Sequence, residues 1–433
     1  MNDLASKIFQ KAQQYQDEAV ALLRRLISTP GPSHSEGPRL ELLQKEVERT
    51  GAAERTFMDS YGNLCWTVGQ GDHTILLCGH ADTAGPGPME AWKALGIDPH
   101  EGHYDSKGRV WGRGAVCGLA GLVTQVFATR IIKELGLGRN VSVYAVATVS
   151  AEENPGGGLR WIFNEGVRSN LYPRPEVVLL AEATGDSTHG PLGIYRGHRG
   201  HMEIVLETQG KATHGATPWR GVNAIAAMGP IITELQGLQE GQGLINDPAL
   251  GRGSITITRI EDGAASTHSV PASCRVVIDR RLTFGETRAT AMAQILNLPS
   301  VRALGDKVQV RVRHHDTPTW KSYRVNDDQC HMAWATPSDH AAIKAAHSTY
   351  NAILTPRAND ERYTGLFAQT PREGCWKLGT DGFGIPSDVP ALGLGAGIEE
   401  LAHTAKEHLD ARELVGAVAF TALYPTMYRL GRP

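Results

Sequence analysis

Thr74-Ile75-Leu76-Leu77-Cys78-Gly79-His80-Ala81-Asp82-Thr83 is the stretch on which the fold turns. Residues 74–78 read as a short strand buried on both faces, and an imidazole and a carboxylate two apart follow its end. The same arrangement recurs along the chain. Residues 141–149 and 177–181 are further apolar strands, followed by Glu152-Glu153 and Glu182. Residues 390–394 predict another, with His403 in the loop beyond. Helical periodicity fills the intervals: Leu4, Ile8, Ala12, Tyr15, Ala19, Leu22 and Leu26 form one N-terminal stripe, stopped at Pro30-Gly31-Pro32, and 119–135 reads as a second helix. Strands alternating with helices predict an α/β class: a mostly parallel sheet flanked by helices on both faces. In such sheets sites form at the carboxyl ends of the strands, so four separate segments bring polar residues to one edge.

The texture changes near residue 198. Met202 to Leu206, Ser254 to Thr258 and Arg275 to Asp279 alternate apolar and polar, as antiparallel strands with one wetted face do. A helix is expected over 223–238 between the first two. The domain reading is therefore a catalytic domain in two parts, 1–197 and 315–433, with an inserted α+β domain over 198–314.

Composition bounds the function. A chain of 433 residues with 41% hydrophobic and 21% charged residues can fold as two globular domains. A net charge of -3 without a basic run offers no footprint for nucleic acid or a membrane surface, and no apolar run approaches a membrane span. The N-terminal stripe is interrupted by Asp3, Lys7, Lys11, Asp17 and Glu18, unlike a signal peptide. Six cysteines without a CxxC pair suit free thiols in a reducing compartment, so a cytoplasmic enzyme with a small-molecule substrate is expected.

Each candidate has two readings. His80 is a metal ligand whose second ring nitrogen is fixed by Asp82, or a satisfied loop histidine beside a turn aspartate. Glu152 and Glu153 are adjacent carboxylates at a buried strand end, where like charges need a cation or a proton. Adjacent side chains point apart, which suggests Glu152 as general base and Glu153 as ligand; a solvated pair is the alternative. Glu182 is a ligand or a helix cap. His403 is a ligand, with Glu407 one helical turn away to orient it, or a structural histidine. Cys117, after Gly112-Arg113-Gly114 and before a helix, is a soft ligand, a nucleophile or inert filler. His214 lies in a loop of the inserted domain and can donate a hydrogen bond to charge developing on a substrate. Arg196, Arg199, Arg220, Arg280 and Arg281 are candidates to clamp a carboxylate, or are surface residues.

Taken in order, His80-Ala81-Asp82-Thr83, Gly112-Arg113-Gly114, Glu152-Glu153, Glu182-Ala183-Thr184, 210–214, Gly221-Val222-Asn223-Ala224 and 403–407 resemble the metallopeptidase family of aminoacylases, acetylornithine deacetylases, succinyl-diaminopimelate desuccinylases and glutamate carboxypeptidases. The resemblance spans nearly the whole chain. It implies that the inserted domain is a lid that dimerises, that His80 and Glu182 hold one metal and Glu153 and His403 another, that Glu152 is the base, and that His214 reaches a neighbouring subunit's site. The family's bridging aspartate falls on Cys117, and a thiolate has one donor atom, so one divalent ion per subunit is expected: Mn or Zn, with Co or Fe admissible. With this departure, the resemblance implies hydrolysis of an activated aromatic amine, 5-nitroanthranilate to 5-nitrosalicylate plus ammonia. The alternative is hydrolysis of an amide bond by a deacylase, dipeptidase or carboxypeptidase.

Overall fold

The computed structural model describes residues 2–431. A mixed sheet of nine strands forms the catalytic domain. At its centre lie His73–His80, Val141–Thr148, Val177–Leu180 and Ala391–Gly393, mutually parallel and buried along nearly their whole length. These are the apolar runs of the sequence, and full burial is why they do not alternate. Parallel pairing is confined largely to this centre. Leu64–Val68 and Arg55–Met58 extend one side antiparallel, and Ile194–His198 and Trp334–Ala335 extend the other. Glu373–Trp376 pairs in parallel with Ile194–His198.

Helices Leu119–Glu134 and Ala411–Leu430 pack on each other and against the sheet, and both are buried over most of their length. The N-terminal stripe is carried by two helices, Asn2–Gln14 and Gln16–Ser28, because the backbone leaves helical geometry at Tyr15. The apolar period survives the break, so the sequence shows one helix where there are two. Among the described residues no helix is long and apolar enough to cross a membrane.

The inserted domain has its own antiparallel sheet, ordered Ser254–Asp262, Ser273–Leu282, Gly200–Gln209, Val308–Val312. Its core is separate: Met202, Ile204, Leu206, Met228, Ile231 and Ile278 are among its buried residues. Helix Ala224–Glu240 covers it, started by Asn223, whose side chain accepts the Ala226 N–H. The domain does not end at 314. After a loop that seats Trp320 against Gly37 and Gly62, Cys330–His331 returns to pair with Gly200–Gln209. The two domains are thus joined by two neighbouring crossings, His198 to His201 and His331 to Trp334. These are hydrogen-bonded strands, with His331 opposite His201 and Trp334 opposite His198.

Candidate metal centre

His80 is the last residue of its strand and is buried. Its Nδ1 donates to the main-chain carbonyl of Asp82 at 2.9 Å, with the Asp82 carboxylate at 3.4 Å, which leaves Nε2 free to face the cavity. The Asp82 carboxylate does a second job. It accepts the N–H groups of Ala151 and Glu152 at 3.1 and 2.9 Å and the Ser33 hydroxyl at 2.7 Å. One aspartate therefore ties the His80 strand end to the Glu152 loop. Ser150, held in the left-handed region at φ 60°, makes the turn that this loop needs.

Five donors meet beyond these strand ends. His80 Nε2 lies 3.4 Å from Glu182 Oε1 and 3.7 Å from Cys117 Sγ. Cys117 Sγ lies 3.5 Å from both Glu152 Oε1 and His403 Nε2, and these last two are 3.2 Å apart. His80, Cys117 and Glu152 can each present a ligand atom within 4.8 Å of the others. A tetrahedral ion bonded at about 2.0–2.3 Å separates its donors by roughly 3.3–3.8 Å, so the spacing of His80, Cys117 and Glu152 fits a divalent metal, with Glu182 and His403 each beside one member of the group. The charges fit as well. Burial pushes the Glu182 carboxyl up to about 7. Hydrogen bonds that His403 makes to Cys117 and Glu152 raise its pKa to about 11. Burial alone would lift Glu152, but His403 and His80 hold it below the ordinary carboxylate range. Burial and the Glu152 charge raise the Cys117 thiol. Acids, imidazoles and a thiol packed this closely are relieved by a cation.

Glu153 is not among them. The expectation made Glu153 a ligand and Glu152 the base, yet the Glu153 side chain is 48% exposed and turns to Arg313 of the lid, at 3.5 Å. With the Glu152 N–H fixed by Asp82, it is Glu152 that faces the cavity, and its neighbour must point away. Glu407 does not orient His403. It is fully buried, pairs with Arg113 at 2.6 Å, and accepts the N–H groups of Gly114, Val116 and Cys117 at 3.0, 3.0 and 3.2 Å. It holds the loop that presents Cys117.

The cavity beside the donors measures about 120 Å³ and is also lined by His201, Arg281, Gly379, Thr380 and Asp381. Arg281 comes from the lid, aligned by Asp279 at 2.7 Å, with His201 opposite it on the next strand. The other arginines are elsewhere. Arg280, next to Arg281 on the strand, points to the opposite face, where it is fully buried and paired with Glu286. Arg196 pairs with Glu373 at 2.9 Å, and Arg199 donates to the Leu250 carbonyl at 2.8 Å. Arg220 is exposed at the end of a short lid helix. His214 is exposed on the lid and is not among the residues lining the cavity.

Asp381 and His201 were not anticipated. Asp381 is buried, accepts from Thr148 and from the Gly156 N–H at 3.0 Å, and its carboxyl is raised by burial. The one sign of it in the sequence is an acid inside the glycine-flanked Gly379-Thr380-Asp381-Gly382. Nothing in the sequence distinguishes His201 from its neighbour His198.

An α/β catalytic domain with imidazole, carboxylate and thiol donors at its strand ends, under an inserted lid, defines a metallohydrolase architecture. The comparisons agree. Residues 196–306 match a peptidase dimerisation domain. The chain is 32% identical over 422 residues to the uncharacterized protein YgeY of Escherichia coli K12, covering 96% of each. Its fold is similar to the di-peptidase Dug1p of Saccharomyces cerevisiae (TM-score 0.74, 15% identity, 99% of each chain). It is also similar to the M20 metallo-carboxypeptidase Sso-CP2 of Sulfolobus solfataricus (TM-score 0.68, 16% identity, 95% of this chain and 99% of that one). The chain belongs to the M20 metallopeptidase family.

Proposed function

We propose that this protein hydrolyses an amide bond in a small carboxylate-bearing substrate, as a dipeptidase, carboxypeptidase or N-acyl amino acid deacylase. The observation that carries the reading is the meeting of the donor cluster with the lid's Arg281 across one cavity. His80, Glu182, Cys117 and His403 would hold a single divalent ion, and the thiolate favours Zn over Mn, Co or Fe. Such an ion, when bound, polarises the scissile carbonyl and makes water a nucleophile near neutral pH. Glu152 faces the cavity ionised, can take the proton of that water, and can return it to the leaving amine. Arg281 faces the cavity as a carboxylate clamp. The lid is proposed to dimerise, with His214 serving the partner's site, and free cysteines throughout suit a reducing cytoplasm.

Cys117 favours one second reading. A site with a single-atom donor at the bridging position, and a compact cavity, also suits water addition to an electron-poor ring such as 5-nitroanthranilate. The test is turnover by metal-reconstituted protein on dipeptides, N-acyl amino acids and 5-nitroanthranilate, before and after chelation. Chelator-sensitive amide cleavage supports the first reading. Ammonia release from the nitroaromatic alone replaces it with the second, and no turnover on any of them sinks both.

A further inference from the structure

The metal cavity is small. At about 120 Å³ it falls below the roughly 300–1,000 Å³ of ordinary ligand sites. A second cavity of about 600 Å³ lies beside the inter-domain crossings, lined by Phe284, Met332, Trp334, Phe383, Ile385 and Pro386 among others. The turn over residues 379–383 stands between the two, together with the paired His201 on the small cavity and His331 on the large one. Phe383 lines the large cavity, while Gly379, Thr380 and Asp381 just before it line the small one. A Cβ placed on Gly379 would lie 2.4 Å from the Phe383 ring and 3.4 Å from the Arg281 guanidinium. The ring edge therefore abuts the backbone of the metal cavity, with Arg281 close by.

The ring is held in place. His331 stacks on it at 4.7 Å, His198 meets it edge-on at 4.3 Å, and His201, which lines the metal cavity, lies 6.5 Å away. Burial keeps these imidazoles neutral, pushing His198 and His331 down to about 3 and His201 to about 4. His198 is fixed further by donating to the Arg199 carbonyl at 2.7 Å and accepting from Trp334 Nε1 at 2.5 Å. The wall is uncharged and packed on both sides, and its supports belong to the two strands that join the domains.

We propose that Phe383 is a specificity-determining residue: its ring closes the metal cavity off from the large recess and limits the site to compact carboxylates. This rests on the reading of the small cavity as the metal site. Removing the ring joins the cavities and lets a longer apolar group pass from Arg281 into the recess.

The test uses the metal-loaded full chain with two probes, benzoate and 4-phenylbenzoate, measured by calorimetry. Phe383→Ala should bind 4-phenylbenzoate about tenfold or more tightly than the parent does, with benzoate affinity kept within about threefold; Phe383→Tyr should behave as the parent. A merely structural role would not produce a gain confined to the longer probe. Unchanged 4-phenylbenzoate affinity, with benzoate still bound, overturns the proposal. Failure of both proteins to bind benzoate would count against the metal-site reading instead. The crystal structure of Phe383→Ala then decides the wall: one continuous cavity supports it, and refilling of the gap by His331 or Trp334 overturns it.

Discussion

Glu407→Gln should loosen the loop that carries Cys117 without altering any residue that faces the cavity. The substitution keeps the shape of the side chain and removes its charge. Its amide oxygen can still accept the N–H groups of Gly114, Val116 and Cys117. Its NH2 group would then face Arg113 Nη1, a donor against a donor, in place of the 2.6 Å ion pair. Arg113 is only 2% exposed, and its Nε has no partner among the described residues. The Pro86 carbonyl at 3.2 Å would be its one remaining acceptor. Breaking a buried pair while leaving one charge behind costs about 3–5 kcal/mol. Burial raises the Glu407 carboxyl, so part of the pair's Coulomb gain already offsets desolvation, and we place the loss near the lower limit, at about 3 kcal/mol. That is a large share of the roughly 5–15 kcal/mol that holds a domain folded. Urea titration measures it, and chelator competition should show metal affinity falling about 10–100-fold, as supporting residues of metal sites usually do. A stability loss below about 1 kcal/mol with metal affinity unchanged would refute the argument, because the loop would then be held by something other than Glu407.

Two further outcomes are expected. Arg281→Ala should raise KM for carboxylate-bearing substrates by about 10–100-fold, the worth of a hydrogen-bonded charge; Arg280→Met should leave KM alone and lower stability, because Arg280 lies in the lid core with Glu286. Equal KM effects from the two would remove the distinction. Glu413 supplies a pH dependence. It is buried, accepts the Gly397 N–H at 2.6 Å, and burial pushes its carboxyl from 4.5 up to about 8. The folded chain keeps this proton where the unfolded chain has lost it, so stability declines as pH rises from about 4.5 to about 8. Glu413→Gln should flatten that decline and melt above the parent at pH 8; a slope identical to the parent's would show that Glu413 does not carry it.

Much of this site can be read from the sequence because apolar strands announce their own ends. His80, Glu182 and His403 follow such runs, and the strands deliver them to one edge. The facing of two adjacent residues is where reading by eye stops. Glu152 and Glu153 point opposite ways, as do Arg280 and Arg281, but which of each pair faces the cavity depends on partners far along the chain. Asp82 fixes the Glu152 backbone, and Arg313 draws Glu153 outward. Arg280 turns to the lid core because Glu286 and Gln294 receive it there. The same holds for Glu407, whose spacing from His403 suggests a local partner while its contacts are with residues 113–117. Cys330–His331, which returns to pair with the lid strand Gly200–Gln209, is too short to show alternation in the sequence.

The central claim is that one ion sits among His80, Cys117, Glu182 and His403, with Glu152 rather than Glu153 beside it. Anomalous diffraction from crystals of the zinc-loaded protein tests it directly. The account predicts a single peak within bonding distance of His80 Nε2, flanked by Glu182 and Cys117, with the Glu152 carboxylate turned to it and Glu153 still on Arg313. A peak coordinated by Glu153, or metal bound away from His80, would contradict it.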